Sequence, residues 1–198
     1  MSDDAATPLG ELALPAKPGE KLALGGVRGC AASLLLAEAL SRHAGLVVAI
    51  TDDVQQAQRL QREMRFFAGG AAARVLSLPD WETLPYDIFS PLPELVSQRL
   101  SVLHRLRQLK RGMLIVPVTT LMQRLAPPSY MQQQALLLQK GQQLDLGEMR
   151  QQLLQSSYRH VSQVFEHGEF AVRGSLLDIF PMGSRQPYRI DLFDDEID

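Results

Sequence analysis

The sequence predicts an α/β domain with a mostly parallel sheet, followed by a smaller α+β domain. Continuous apolar segments of strand length, Leu46–Thr51 and Met113–Val116, alternate with helical segments, and this order is typical of a parallel sheet covered by helices. After Pro127 and Pro128 the composition becomes glutamine-rich and the strands become short and alternating. We therefore predict one domain over residues 20–130 and a second over residues 131–198.

The first domain is predicted to follow a flexible leader, residues 1–19, which contains three spaced prolines. Gly45 ends the first helix, and Asp52 or Asp53 can cap the second. The apolar strands are expected to be buried on both faces. The predicted elements are a short strand Lys21–Leu24, a helix Cys30–His43, a strand Leu46–Thr51, a helix to about Phe67, a strand Arg74–Leu78, a helix from about Glu94 to Leu109, a strand Met113–Val116 and a short helix around Thr120–Leu125.

The second domain is predicted to combine one helix with several short strands, which Gly168, Gly174 and the segment Pro181–Pro187 separate. The chain then stops in an acidic segment directly after a strand, and we expect it to be part of a longer protein. The predicted elements are a strand Ala135–Gln139, a helix Leu146–Ser156 and the strands Val161–Phe165, Glu169–Arg173, Leu176–Phe180 and Tyr188–Phe193.

Composition and charge narrow the class of protein. Of the 198 residues, 45% are apolar and 21% charged, as in globular proteins that bury a core. The formal net charge of -2 does not favour a nucleic-acid binder. The single cysteine, Cys30, cannot form an internal disulfide, the N-terminus lacks the basic start of a signal peptide, and no apolar run approaches the roughly 18 residues of a membrane span. We therefore expect a cytoplasmic protein without membrane contact.

One region, Leu95–Leu144, contains no Asp or Glu but several Arg and Lys residues. A basic segment of this kind could contact the phosphates of DNA. Its basic residues are spread over several predicted elements, and so a solvated surface with some internal ion pairs is the favoured interpretation. Direct DNA binding remains the alternative.

A glycine-rich segment stands where a nucleotide-binding P-loop would lie. The pattern G-x-x-x-x-G-K-[ST] supplies glycines around the phosphates, a lysine for the β- and γ-phosphates and a hydroxyl for magnesium. Gly26 and Ser33 fit this pattern and Gly29 lies between them, but Ala31 replaces the second glycine and Ala32 the lysine. Losing the lysine removes a charge-assisted contact worth roughly 1.5–3 kcal/mol. We predict a vestigial loop that does not bind ATP appreciably, and a plain glycine-rich turn before a core helix is the alternative.

The remaining chemistry-bearing residues do not indicate an enzyme. His160 and His167 lack metal-ligand spacing and have no cysteine nearby. Cys30 is interpreted as a small core residue, and no serine stands in a G-x-S-x-G setting. We predict no catalytic residue, no metal and no cofactor in this chain.

Strand alternation in the second domain identifies a candidate binding surface. A period of two places Tyr188, Ile190 and Leu192 on one face, so that Arg189 and Phe193 share the other with Asp191. The residues of the earlier strand that are predicted to face outward are Glu169, Ala171 and Arg173. An exposed arginine beside an exposed aromatic is typical of a binding hot spot. Coverage of Phe193 by a neighbouring element is the alternative.

The helix predicted over residues 94–109 contains an arginine in its apolar stripe. At about 100° per residue, Arg99 falls in the middle of the apolar side. The opposite side is predicted to contain Glu94, Ser97, Ser101 and His104. Because a buried guanidinium must be paired or hydrogen-bonded, Arg99 is predicted to be largely buried and bonded to a carboxylate or to backbone carbonyls.

Four stretches resemble the N-terminal, UvrB-like region of the bacterial transcription–repair coupling factors (Mfd). They are DWETLPYDIFSP (80–91), RGMLIVPVTTLMQRL (111–125), YRHVSQVFEHGEFAVRGSLLDIFPMGS (158–184) and PYRIDLFDDEID (187–198). The region is also similar to the excision-repair helicase UvrB, whose RG-x-x-x-DIFP phrase matches Arg173–Gly174 and Asp178–Pro181. Two features depart from UvrB: Ala32 replaces the P-loop lysine, and the aromatic-rich DNA-clamping hairpin is missing after Pro91.

The resemblance implies a fold and a function. The first domain would be a degenerate helicase-like P-loop domain similar to UvrB domain 1a, and the second would be a UvrA-binding domain similar to UvrB domain 2. Family residues for the UvrA contact fall on Arg173, Arg189 and Phe193. This chain would then be a non-catalytic docking platform, and a UvrB-type P-loop ATPase or DNA-binding module is the alternative.

The resemblance also implies what the longer protein would do. It would recognise RNA polymerase stalled at a DNA lesion and recruit UvrA for nucleotide excision repair. A C-terminal motor that uses ATP and magnesium would translocate on double-stranded DNA and displace the polymerase.

Overall fold

The structure is a computed structural model that describes residues 14–83, 87–125, 127–128 and 138–198. The described residues form two compact units, one with the residues up to Leu78 and Leu106–Leu121, the other with Pro79–Arg105 and Met122–Asp198. A mixed α/β class, with a parallel sheet and a separate small sheet, is confirmed. The predicted boundary near residue 130, most of the strand Ala135–Gln139 and the first 13 residues of the leader lie outside the described residues.

The first unit is built on a parallel sheet with the strand order β1-β3-β2. Its strands are β1, Leu46–Thr51, β2, Val75–Ser77, and β3, Gly112–Pro117. Two helices, α1, Ala31–Arg42, and α2, Val54–Phe67, pack against the sheet and bury a core. The carboxylate of Asp53 accepts a hydrogen bond from the Gln56 backbone N–H at 2.7 Å and caps α2, as predicted. Gly112 is needed where β3 begins, because a Cβ there would lie 2.6 Å from the Arg74 carbonyl oxygen.

The expectation that both apolar strands are buried on both faces is wrong for one of them. Every residue of β3 is buried, because it is the central strand. In β1, Ala49 and Thr51 face the helices and are buried, whereas Val48 and Ile50 on the other face are exposed. An edge strand with helices on one face has only half of its side chains covered, and a run of apolar residues does not reveal this.

Two other expectations for the first unit are wrong. The residues of Lys21–Leu24 form no strand and are exposed, because no described strand pairs with their backbone. The helix expected around Thr120–Leu125 begins earlier and is shorter, α4, Val118–Leu121. The Gln123 side chain, which was expected inside this helix, donates a hydrogen bond from Nε2 to Asp80 Oδ1 at 2.8 Å.

Among its described residues, the second unit contains a five-stranded sheet in sequential order and two helices. Parallel pairing joins its first two strands and antiparallel pairing joins the others. The helices are α3, Pro93–Gln108, of which the part up to Arg105 belongs to this unit, and α5, Leu146–Gln155. The strands are β4, Arg159–His160, β5, Glu169–Arg173, β6, Leu176–Ile179, β7, Tyr188–Phe193, and β8, Glu196–Ile197.

Helix α5 covers the inner face of this sheet. Asp145 caps it by accepting hydrogen bonds from the backbone N–H groups of Gly147 at 2.7 Å and Glu148 at 2.9 Å. Its buried side chains pack against alternate residues of the strands. The core consists of Leu144, Met149, Leu153, Phe170, Leu177, Ile179, Leu192 and Ile197.

The strand pattern of the second unit differs from the prediction at two places. Residues 161–165 form a loop, and the strand before it is the short β4. This loop is fixed because the backbone N–H groups of Phe165 and Glu166 donate to the Glu169 carboxylate at 2.9 and 2.8 Å. Strand β8 was not predicted, because Asp194 and Asp195, which form its hairpin turn, lie in the acidic segment that was expected only to follow the last strand.

The prediction for Arg99 is confirmed. Its side chain is 2% exposed, its Nη1 donates to the carbonyl oxygen of Pro79, and its guanidinium carbon lies 4.1 Å from the centre of the Trp81 ring. Ser97, expected on the solvent side of α3, is instead buried. Its hydroxyl accepts a hydrogen bond from the Gly183 backbone N–H at 2.8 Å, and thus a turn distant in sequence covers this side of the helix.

Candidate protein-docking surface

The outer face of the β5–β7 sheet brings the three predicted site residues together. Strand register aligns Arg173 with Leu176 and Asp191, and aligns Asp178 with Arg189. Arg189 and Phe193 are four residues apart on β7, which corresponds to about 13 Å along the strand. The three side chains therefore lie on one patch, which we call the outer-face patch and define as Arg173, Asp178, Arg189 and Phe193.

The core fixes which face is outside. Phe170 in β5, Leu177 in β6 and Leu192 in β7 are buried against α5. Because side chains alternate along a strand, this packing places Arg173 and Arg189 on the opposite face. Both arginines are exposed, as the alternation predicted.

A tight turn places Arg173 at the end of β5. Arg173 pairs with Leu176, and the two residues between them, Gly174 and Ser175, form the hairpin loop. Gly174 has φ 60°, a left-handed conformation that glycine adopts without steric cost at the first central position of a type II′ turn.

Asp178 joins the two arginines, and sequence reasoning did not identify it as part of the site. Its Oδ1 accepts from Arg189 Nε at 2.6 Å, and its Oδ2 accepts from Arg189 Nη2 at 2.9 Å and from Arg173 Nη2 at 3.1 Å. The side chain of Asp178 is 15% exposed, compared with 54% for Arg173 and 61% for Arg189. The carboxylate thus lies beneath the two guanidinium groups.

The electrostatics of the patch follow from this arrangement. The hydrogen bonds from Arg189 lower the pKa of Asp178, burial opposes them, and the charges of Arg189 and Arg173 add to the lowering. Asp178 in turn raises the pKa of Arg189 through its hydrogen bonds and its charge. Asp178 is therefore ionised at neutral pH, and these three groups together carry a net positive charge. The exposed carboxylate of Asp191, on the same face, also raises the pKa of Arg189.

Phe193 supplies the apolar part of the patch. It is 80% exposed, which excludes the alternative in which a neighbouring element covers it. Its strand partner across the hairpin is Glu196. An exposed ring of this size is unfavourable in water and becomes favourable when a partner covers it.

Two residues that alternation placed outside are buried. Ala171 and Glu169 are 2% and 7% exposed. Glu169 accepts the two backbone hydrogen bonds of the 161–166 loop and forms an ion pair with Arg159 at 3.0 Å. Burial raises the pKa of Glu169, but these hydrogen bonds and the charge of Arg159 lower it by more. This part of the outer face is therefore covered by the chain's own loop.

The segment predicted to be a vestigial nucleotide loop differs from the outer-face patch. Gly26 and Gly29 have φ 73° and 61°, and a Cβ at either would meet open space. Ala31 begins α1, and Ala32 is exposed on it. Cys30, interpreted above as a core residue, is exposed, because it precedes the helix instead of lying within its buried stripe.

Ser33, the counterpart of the magnesium-binding hydroxyl, is already bonded within the chain. It is buried, and its Oγ donates a hydrogen bond to Glu63 Oε2. Arg59 forms an ion pair with the other oxygen of Glu63 at 2.8 Å. The hydrogen bond from Ser33 is the largest effect that lowers the pKa of Glu63, and the bond from Arg59 is the next. A magnesium ion would have to compete with these contacts.

The two histidines considered as metal ligands have other contacts. The His160 ring lies 5.1 Å from the Phe170 ring, and the His167 ring lies 3.9 Å from the Phe180 ring. His167 Nε2 is also 3.1 Å from the Ser184 carbonyl oxygen. Over residues 14–83, 87–125, 127–128 and 138–198, no group of three or more His, Cys, Asp or Glu side chains could hold a metal ion.

Several basic residues of the acid-free segment are engaged internally. Arg99 is buried, Arg111 Nη2 donates to the Ser41 carbonyl oxygen, and Lys140 forms an ion pair with Asp198 at 3.2 Å. These contacts favour the interpretation of the segment as a surface with internal partners.

No helix in the described part of the chain is long and apolar enough to cross a membrane.

Comparison with known families places the outer-face patch inside a recognised domain. Residues 136–198 match the family model of the UvrB interaction domain. The match includes all four residues of the patch, the β5–β8 strands and helix α5.

Curated relatives extend the similarity to most of the chain. The chain is 54% identical over 185 residues to the transcription-repair-coupling factor of Escherichia coli strain K12, a match that covers 93% of this chain and 16% of that protein. It is 48% identical over 185 residues to the protein of the same name from Haemophilus influenzae, with the same coverage. For the Staphylococcus aureus USA300 protein the identity is 31% over 164 residues, covering 83% of this chain and 14% of that protein.

The resemblance stated from sequence is therefore confirmed. The chain is similar to the N-terminal, UvrB-like region of the transcription-repair-coupling factors and spans about one sixth of the length of the curated relatives it matches.

Proposed function

We propose that this chain, which is related to the transcription-repair-coupling factors, is a non-catalytic module that binds UvrA and so recruits it for nucleotide excision repair. In this proposal the chain acts in the cytoplasm as part of a longer protein. That protein would contact RNA polymerase and double-stranded DNA through other regions, and its motor would use ATP and magnesium.

The observation that carries the proposal is the outer-face patch. Arg173, Arg189 and Phe193 share one face of the sheet, and this face lies within the segment that matches the UvrB interaction domain. Arginine and aromatic side chains contribute most to protein–protein hot spots, because they combine large contact area with directional hydrogen bonding. A positively charged cluster beside an exposed ring suits an acidic and apolar surface on the partner.

The proposal assigns no ATP chemistry to this chain. We infer that the first unit is a degenerate helicase-like domain in which the nucleotide site has been lost. Ala32 cannot contact the phosphates, the Lys21–Leu24 segment that should precede the loop forms no strand, and Ser33 is bonded to Glu63. These features support a scaffold role for the first unit.

The experiment is a binding titration of purified UvrA against this chain and its variants. We expect the wild-type chain to bind and the triple variant R173A/R189A/F193A to lose measurable binding, since each truncation at a hot spot costs roughly 2 kcal/mol or more. The matched control is R150A/F66A. Arg150 is an exposed arginine on α5, which lies on the other face of the same sheet, and Phe66 is as exposed as Phe193.

The control distinguishes loss of specific contacts from general loss of charge and apolar surface. Circular dichroism and a thermal melt show whether each variant is folded. A folded triple variant that binds UvrA as tightly as the wild type would refute the assignment of the surface. A wild-type chain that does not bind UvrA at micromolar concentration would refute the proposed function itself.

A further inference from the structure

The position of Asp178 suggests a role that differs from direct contact with a partner. Its strand, β6, lies between β5 and β7, and its carboxylate is held under the guanidinium groups of Arg173 and Arg189. With 15% of its side chain exposed, Asp178 offers little surface to a partner. Its influence on docking must therefore act through the two arginines.

The hydrogen bonds determine which edge of Arg189 remains available. Asp178 accepts from Nε and Nη2, the side edge of the guanidinium. A guanidinium has five N–H donors in a fixed planar arrangement. Two are used by Asp178, so that the end edge, formed by Nη1 and the second N–H of Nη2, can still donate two parallel hydrogen bonds. This geometry matches a carboxylate on the partner.

We propose that Asp178 is a positioning residue, which fixes Arg189, and with it Arg173, so that the end edge of the Arg189 guanidinium engages a carboxylate of the docking partner. The inference rests on the proposed function, because it describes how the same surface works. An arginine side chain loses considerable rotamer freedom when it is immobilised at an interface. Asp178 imposes this order before binding, and the partner then meets a preorganised group.

Asp178 could instead compete with an acidic partner for the two arginines, and its removal would then strengthen binding. Removing its charge would free both guanidiniums. The two roles therefore predict changes of opposite sign. The geometry favours positioning, because the bond to the side edge leaves the end edge free and the central strand holds the carboxylate in a defined place.

The test is a double-mutant cycle between Asp178→Asn and Arg189→Ala with UvrA as the titrant. Asparagine keeps the shape of the side chain but removes its charge and one acceptor oxygen. We expect D178N to weaken UvrA binding about tenfold in the wild-type background and to have a clearly smaller effect in the R189A background, where only Arg173 still depends on Asp178. The matched control is D191N, since Asp191 lies on the same face and acts on Arg189 through its charge, while its carboxylate accepts a hydrogen bond from the Ser175 hydroxyl at 3.3 Å and not from Arg189.

Equal or tighter binding by D178N would overturn the proposal, and so would an equal loss of affinity in the R189A background. A second measurement does not depend on UvrA. In nitrogen-15 spectra, the Nε–H of Arg189 should exchange slowly with water in the wild type and rapidly in D178N, whereas D191N should leave it unchanged. An Arg189 signal that is insensitive to D178N would overturn the positioning role. Absence of UvrA binding by the wild type, with the expected spectra, would refute the proposed function and leave the positioning geometry supported.

Discussion

Two arginines of the second unit have opposite surroundings. Arg99 in α3 is buried against the Pro79 carbonyl and the Trp81 ring, whereas Arg189 in β7 is mostly exposed and bonded to Asp178. Burial lowers the pKa of Arg99 despite the opposing charge of Asp80, and Asp178 raises the pKa of Arg189. The same side chain thus stabilises the fold in one place and, in the proposed function, forms part of a docking surface in the other.

The comparison shows that partners and burial, and not the residue type, decide what an arginine does. Arg99 uses its plane and its donors inside the unit, and its Nη2 has no hydrogen-bond partner among the described residues. Arg189 keeps three N–H donors directed away from Asp178. An arginine with available donors at the surface can contribute to recognition at little cost to folding.

The largest effect is expected for Arg99→Ala. Removal of the buried guanidinium eliminates the hydrogen bond to Pro79 and the contact with Trp81 and leaves a cavity in α3's packing. We expect a loss of about 3–5 kcal/mol in the free energy of unfolding. Urea denaturation measures this loss, and R150A should change stability by less than about 0.5 kcal/mol.

This first prediction separates the two arginine sites. The folded fraction of R99A should bind UvrA with wild-type affinity, because Arg99 is not part of the outer-face patch. A loss of stability below about 1 kcal/mol would show that buried Arg99 contributes little to folding, and that it does not differ from exposed Arg189 in this respect.

Sequence reasoning predicted both sites in part, for different reasons. Helical periodicity identified Arg99 as buried, and strand alternation identified Arg189 and Phe193 as exposed. Periodicity is a local property, so it gives the face on which a residue lies. It did not predict that Gly183 covers Ser97, because that contact joins elements distant in sequence.

Asp178 shows most clearly that local sequence patterns do not predict contacts between strands. Its partnership with Arg189 depends on the register of β6 against β7, which the sequence alone does not specify. The same limit explains Glu169, which alternation placed outside but which the 161–166 loop covers. The strand predicted at Lys21–Leu24 is absent for a related reason, since strand propensity produces a strand only where a neighbouring strand pairs with it.

The second effect concerns binding, through the single variants R189A and F193A. Each should weaken UvrA binding by about 2 kcal/mol or more. Only R189A should also lower stability, because the Asp178 carboxylate, whose side chain is 15% exposed, loses two of its hydrogen bonds. Phe193 is exposed, and its truncation should leave the melting temperature unchanged.

Calorimetric titration with UvrA and thermal melts on the same samples measure these effects. A lowered melting temperature for F193A would mean that Phe193 contributes to the core. Unchanged stability for R189A would mean that water solvates the Asp178 carboxylate well enough without Arg189. The ion pair of Arg189 would then contribute nothing measurable to folding.

The third effect is the pH dependence of the Asp178 cluster. The pKa of Asp178 in the folded protein lies below its value of about 3.9 in the unfolded chain. A depressed folded pKa means that the stabilisation is present above the unfolded pKa and is lost as the pH falls through the folded pKa. The wild type should exceed D178N in stability by about 1 kcal/mol at pH 7. This difference should begin to shrink as the pH falls below the unfolded pKa of about 3.9, and it should be lost as the pH falls through the lower folded pKa of Asp178.

Urea denaturation of both proteins at pH 7, 5 and 3 provides the measurement. A difference that is constant from pH 7 to pH 3 would show that the loss in D178N comes from packing and not from ion pairing. Arg99, whose recorded hydrogen bond is to a backbone carbonyl, should give R99A a loss of stability that persists across this range.

The smallest effect is expected from ATP. At 1 mM, a nucleotide with a dissociation constant of about 10 mM or weaker adds less than about 0.1 kcal/mol of stability, so that the melting temperature should stay within about 0.5 °C. The reason is that the hydroxyl which would bind magnesium is already hydrogen-bonded within the chain. The Ser33 hydroxyl, like Arg99 Nη1, donates its hydrogen bond inside its own unit, whereas Arg189 in the outer-face patch keeps N–H donors directed away from Asp178.

A restored variant, A31G/A32K, tests whether the absent lysine alone would explain the expected lack of nucleotide binding. The variant recovers the G-x-x-x-x-G-K-[ST] pattern, but Ser33 would still donate to Glu63, and Lys21–Leu24 would still lack a strand partner to hold the loop. We therefore expect calorimetry with ATP and magnesium to detect no binding by either protein. A low micromolar dissociation constant for the wild type would contradict the vestigial loop. Binding by the restored variant alone would show that the loop keeps its phosphate-binding geometry, and that only the charge of the lysine separates it from a working site.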